Sequence, residues 1–257
     1  MRDLEQALRE RREGGGRSFV PYVTGGYPGV DAAFLRGLEA TGADAVEVGI
    51  PFSDPVMDGG VIQEASAAAL ADGATPEAVL AAIREAALGI PVAVMTYVNP
   101  VFRIGFARFL DALAEAEVAG TIVPDLPLDE GESFAAAAAL RGIANVLLAA
   151  PGTSTERLER IGAAAHGFVY CVATYGVTGA REQLAGTAEE VVVALRPLTD
   201  LPLLVGVGIG TPEQAADACR FADGAIVGSA LMARLLQDDV EGALGLAAAF
   251  RAAIPTA

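Results

Sequence analysis

Residues 203–219 read Leu203-Leu204-Val205-Gly206-Val207-Gly208-Ile209-Gly210-Thr211-Pro212-Glu213-Gln214-Ala215-Ala216-Asp217-Ala218-Cys219. A short apolar strand runs into alternating glycines, and Thr211-Pro212-Glu213 then opens a helix with an N-cap hydroxyl and a proline at its first position. This is one strand-loop-helix unit, and the chain repeats it. Strands are expected at 19–23, 45–48, 91–96, 120–123, 145–149, 168–172, 203–205 and 225–227. Helical stretches are expected at 30–41, 75–87, 105–116, 133–140, 155–163, 187–195 and 211–219, with Thr75-Pro76-Glu77 repeating the same helix start. Eight units in 257 residues point to an α/β fold, a single (β/α)8 TIM barrel. An open doubly wound sheet is the alternative, because a strand count does not prove closure.

No linker or composition break interrupts the pattern, so residues 1–257 are expected to form one barrel domain. The alanine tract 135–139 falls inside an expected helix and reads as a small-residue face packed on the barrel. The opening segment has no apolar run after its charges, and no window reaches the length of a membrane span, so a cytoplasmic protein with no membrane partner is expected. Cys171 and Cys219 each lie in apolar sequence and read as buried thiols in a reducing compartment. The net charge of −16 argues against nucleic acid as a partner. All 17 basic residues are arginine, no lysine occurs, and His166 is the one histidine. Schiff-base chemistry, Ser-His or Cys-His nucleophiles and a multi-histidine zinc site therefore lack their parts, and neither cofactor nor metal is expected.

In a barrel, chemistry sits at the C-terminal ends of the strands. Glu47 interrupts the apolar strand Ala45-Val46-Glu47-Val48. Either it is a structural carboxylate bonded to backbone or arginine, or it is a buried acid raised in pKa for proton exchange. The next loop carries Asp54 before a proline and Asp58 before Gly59-Gly60. Turn formation accounts for both, yet the loop also allows Asp58 to face the pocket of Glu47, where two carboxylates can divide acid and base roles. Glycine clusters follow the sixth, seventh and eighth strands, at Gly176-Val177-Thr178-Gly179, Gly206 to Gly210 and Gly228-Ser229. Their order matches the place where barrels bind phosphate through backbone N–H groups and a helix N-terminus.

The segment Val46-Glu47-Val48-Gly49-Ile50-Pro51-Phe52-Ser53-Asp54-Pro55, continuing through Asp58-Gly59 to Gln63, resembles the signature of the tryptophan synthase alpha subunit family. Pro21-Tyr22-Val23-Thr24, Tyr97-Val98-Asn99-Pro100, Pro124-Asp125-Leu126-Pro127 and the glycine motifs fall in that family's order across almost the whole chain. The resemblance implies cleavage of indole-3-glycerol phosphate to indole and glyceraldehyde 3-phosphate. It implies Glu47 as acid/base and Asp58 as the partner of the indole N–H. Tyr170 would lie beside the glycerol chain, Thr178 would close over the site and hold Asp58, and Tyr22 and Val207 would line the indole and phosphate regions. Backbone groups of Gly179, Gly208, Gly228 and Ser229 would hold the phosphate. The implied partner is a tryptophan synthase beta subunit in an alpha2beta2 heterotetramer.

That chemistry suits a chain without lysine: protonating ring carbon 3 lets the carbon–carbon bond break with its electrons returning to the heterocycle. Two departures from the family pattern stand out. Gly60 replaces the usual proline after Asp-Gly, and Ala173-Thr174-Tyr175 replaces a serine-containing stretch. Both fall in loops that couple the family's two subunits. A stand-alone lyase releasing indole, and a non-catalytic activator of a beta subunit, are therefore weighed as alternatives.

Overall fold

The computed structural model describes residues 2–172 and 181–256. Its strands are β1 (Ser18–Thr24), β2 (Val46–Gly49), β3 (Val92–Met95), β4 (Gly120–Ile122), β5 (Ala144–Ala149), β6 (Val169–Val172), β7 (Leu203–Gly206) and β8 (Gly224–Val227). All eight pair in parallel with their sequence neighbours, and β8 returns to β1, so the barrel is closed and the open-sheet alternative is set aside. The expected strand boundaries agree to within one residue.

Twelve helices surround the barrel among the described residues: α1 (Leu4–Glu13), α2 (Ala32–Ala40), α3 (Gly60–Ala71), α4 (Pro76–Ala86), α5 (Val98–Ile104), α6 (Phe106–Glu115), α7 (Glu132–Ala139), α8 (Thr155–Ala164), α9 (Arg181–Leu195), α10 (Pro212–Ala218), α11 (Ser229–Leu235) and α12 (Val240–Ala253). Local chemistry sets many of their starts. Asp31, Thr75, Ser154 and Asp239 each accept a backbone N–H at the N-cap, and Thr211 and Gln214 form a reciprocal capping box. Five helices, α1, α3, α5, α11 and α12, were not among the expected stretches. Helix α1 is rich in Arg and Glu, and its buried face consists of Leu4 and Leu8. Leu4 packs against Gly120 and Gly167, so the opening segment plugs the N-terminal end of the barrel.

Residues opposite one another in parallel strands share a side. The register Tyr22↔Glu47↔Ala93 and Leu148↔Tyr170↔Leu204 places Tyr22, Glu47 and Tyr170 on the inner side. Val94, Thr121 and Asn145 form an outer row under the helices.

Ring closure between β8 and β1 is fastened from below. Ser18 N–H donates to Asp223 O (2.9 Å) and Phe19 N–H to Asp44 Oδ2 (2.8 Å). Arg251 of α12, itself buried, donates to Asp44 Oδ2 at 2.7 Å and to Ile254 O at 2.9 Å, while Arg11 of α1 pairs with Asp44 Oδ1 at 3.3 Å. Arg17 N–H meets Pro255 O at 2.8 Å, which brings the segment entering β1 against the segment leaving α12.

Candidate active site

Glu47 is 1% exposed, inside the barrel near its C-terminal mouth, and among the described residues neither carboxylate oxygen has a hydrogen-bond partner. The structural reading of this residue required a backbone or arginine partner, and the geometry gives it none. Burial, reinforced by the charge of Asp58, pushes its carboxyl from 4.5 up to about 8.

Tyr22 stands beside Glu47 on the adjacent strand and Tyr170 faces it from β6 across the barrel interior, and burial together with the carboxylates holds both phenols protonated well above their ordinary range. Glycines make room for them. A side chain at Gly49 would collide with the Tyr22 hydroxyl, one at Gly206 with the Tyr170 hydroxyl, and one at Gly228 would meet the Tyr22 ring at 2.8 Å.

Asp58 lies immediately before the N-cap Gly59 of α3. The turn reading describes its backbone, since Asp58 N–H donates to Pro55 O at 3.0 Å and Gln63 Nε2 to Asp58 O at 2.8 Å. The side chain does more. Burial raises its carboxyl from 3.8 to about 6, against the opposing pull of the Tyr97 hydroxyl that faces it. Tyr97 is buried, accepts Met57 N–H at 3.0 Å and lies tilted against Phe52 with ring centroids 5.4 Å apart. Sequence reasoning quoted Tyr97 inside a motif without giving it a role. Asp125, from another quoted motif, accepts Val98 N–H at 2.8 Å and so steadies the start of α5, which follows Tyr97.

After β7, Val207 and Gly208 both adopt positive φ, 69° and 91°. For a β-branched residue such as Val207 this is a strained conformation of the kind found at functional sites. Its side chain is 46% exposed. Among the described residues the backbone N–H groups of Gly208, Gly228 and Ser229 find no acceptor, the latter two at the start of α11. Neighbouring donors at Gly210 and Thr211 are taken by Gln214 Oε1 (2.7 and 3.2 Å). Thr178 and Gly179, expected to close the site and bind phosphate, lie outside the described residues, as does Ala173-Thr174-Tyr175.

Cys171 and Cys219 are free and buried, with thiols pushed up to about 12. Among the described residues no group of three or more His, Cys, Asp or Glu could hold a metal ion, and no helix is long and apolar enough to cross a membrane.

The sequence profile of the tryptophan synthase alpha chain matches residues 8–251. The chain belongs to the tryptophan synthase alpha chain family. Among curated members it is 44% identical over 236 residues to the alpha chain of Carboxydothermus hydrogenoformans, covering 90% of this chain and 88% of that one. It is 43% identical over 249 residues to that of Streptomyces avermitilis, covering 95% and 90%. A solved structure of Mycobacterium tuberculosis tryptophan synthase superposes with a TM-score of 0.91 at 36% identity, covering 99% of this chain and 98% of that one. The alpha subunit from Legionella pneumophila gives 0.88 at 32% identity, covering 98% of each. Tryptophan synthase alpha chains are lyases of tryptophan biosynthesis that cleave indole-3-glycerol phosphate, and this chain is a lyase of that kind.

Proposed function

We propose that Glu47 and Asp58 divide the chemistry of this cleavage through opposite protonation states. Near pH 7 the Glu47 carboxyl, raised to about 8, holds its proton, while Asp58, raised to about 6, is ionised. Glu47 gives its proton to indole carbon 3, forming a cationic ring that the Asp58 carboxylate stabilises through the ring N–H. The Glu47 carboxylate then takes the proton of the glycerol hydroxyl next to the scissile bond. That hydroxyl becomes the aldehyde, the bonding pair returns to the ring, and Glu47 ends protonated as it began. General acid–base help of this kind supplies about 10²–10⁴-fold, so positioning carries much of the remainder.

Tyr22 and Tyr170 wall the reacting centre, Tyr97 orients Asp58, and the free N–H groups at Gly208, Gly228 and Ser229 suit a phosphate, with Val207 at its edge. Thr178 and Gly179 belong to the same reading by resemblance. The whole chain acts as one barrel domain. The observation that carries the assignment is the pair of unequal carboxylates at one barrel mouth.

The same reading gives the protein a beta-subunit partner. Val56, Met57 and Phe102 are 76%, 40% and 60% exposed on the segments following β2 and β3, and they form an apolar rim at the catalytic mouth. Buried thiols fit a cytoplasmic setting. The test is indole release by the purified chain with and without a beta subunit, alongside Glu47→Gln. Loss of cleavage in that variant with substrate binding kept, and stimulation of the wild type on complex formation, are the expected results. Near-normal turnover of Glu47→Gln removes Glu47 from this role, and the absence of both complex and stimulation removes the partner.

A further inference from the structure

A cavity of about 200 Å³ lies on the outside of the barrel, between α7, α8 and the outer row of β4 and β5. It exists because α7 is short of side-chain volume. Ala135 and Gly131 face the barrel wall here, with Ala164 on α8, and the space they leave is walled by Val123, Leu126 and Leu147. A purely apolar void of this kind stays dry and takes apolar guests.

This one has a polar floor. Asn145 is 8% exposed and lines the cavity, and among the described residues its carboxamide meets no hydrogen-bond partner. In the adjacent strand, at the position in register with it, the Thr121 hydroxyl is buried with no partner among the described residues. An amide that opens onto a confined, largely apolar slot ordinarily finds a partner there.

We propose that this slot is a second binding site for free indole, held by its ring N–H on Asn145 Oδ1 and by its bicycle against the leucine and alanine walls. The choice of occupant rests on the lyase reading. Of the molecules in that reaction, the substrate and the aldehyde product both carry phosphate. No arginine lines the slot and the Glu132 carboxylate does, so phosphate is repelled. Indole is neutral, flat and has one donor to satisfy the acceptor on the floor. The site is distinct from the catalytic one, because Glu47 lies on the inner side of the barrel and Asn145 on the outer.

The test is a titration of the full-length protein with 5-fluoroindole followed by fluorine NMR. Two bound environments are expected in the wild type. Ala135→Leu fills the slot and should remove one of them while kcat for cleavage is unchanged. Asn145→Ala, which keeps the slot open, should weaken that same environment about tenfold and guards against a folding defect in the first variant. Glu47→Gln should abolish cleavage and leave the slot signal in place, so failure of the lyase reading and failure of the slot appear in different measurements. A single bound environment in the wild type, or a second one untouched by both slot variants, overturns the proposal.

Discussion

Glu47→Gln should stabilise the fold, and should do so more as the pH rises. Burial lifts the Glu47 carboxyl from 4.5 to about 8, so the folded chain holds this proton more tightly than the unfolded chain. Below 4.5 both states are protonated and the residue is neutral in the balance. As the pH climbs, the unfolded chain ionises first, and stability falls by about 1.4 kcal/mol per pH unit until the folded group titrates as well. Between 4.5 and 7 the loss comes to about 3 kcal/mol, a large share of the stability of an ordinary domain. Glutamine keeps the shape and cannot ionise, so the variant escapes this loss. Asp58, raised from 3.8 to about 6, adds a loss of the same sign in both proteins that cancels in the comparison. Urea unfolding at pH 5.5 and 7.5 gives the readout. The stability advantage of Glu47→Gln over the wild type should grow by about 2–3 kcal/mol across that interval. An advantage independent of pH would mean that Glu47 is ionised in the folded protein, and the division of roles between the carboxylates would fall with it.

The same pair predicts a bell-shaped kcat/KM, rising through about 6 as Asp58 ionises and falling through about 8 as Glu47 loses its proton, with Asp58→Asn losing most activity and the acidic limb. A flat profile between 5.5 and 8.5 contradicts the assignment. Gly49→Ala drives a methyl into the Tyr22 hydroxyl. It should lose about 1–3 kcal/mol of stability along with activity, both partly restored by Tyr22→Phe; equal loss in the single and double variants would show the collision to be unimportant. Gly60→Pro should be tolerated and stabilise by about 0.4–1 kcal/mol, because Gly60 opens α3, its N–H finds no acceptor among the described residues, a side chain there meets nothing within 4 Å, and Gly59 before it is extended at ψ 162°. A lowered melting temperature would refute that account.

The strands were legible because each is a compact apolar run between turn signals, and parallel strands buried on both faces need no alternation to be recognised. Helix α3 was hidden by its start. Two glycines are poor helix formers, yet at the N-cap and first position the backbone is free to adopt the geometry, so what reads as loop is already helix. Helix α1 was hidden because two leucines suffice for a helix that only plugs the barrel end. At the site, Glu47 was conspicuous as a charge within an apolar strand. The role of Tyr97 was not, because its partner Asp58 arrives from a different loop and only the pairing of β2 with β3 brings them face to face. The slot beside Asn145 was also illegible: an alanine tract reports small volume, and whether neighbours fill the space depends on helix placement.

The hydrogen bond from Arg17 to Pro255 gives the barrel an unexpected topological freedom. Strand pairing makes a ring in space, and this contact nearly makes one of the covalent chain. A linker long enough to reach back along α1 and join the two chain ends would complete it, and the protein could then be opened elsewhere. The exposed turn at Leu140 between α7 and β5, on the end of the barrel away from Glu47 and Asp58, is such a place. A permuted chain beginning there would keep every strand pair and every group at the catalytic mouth. The order in which the strands are synthesised is therefore separable from the order in which they stand around the ring.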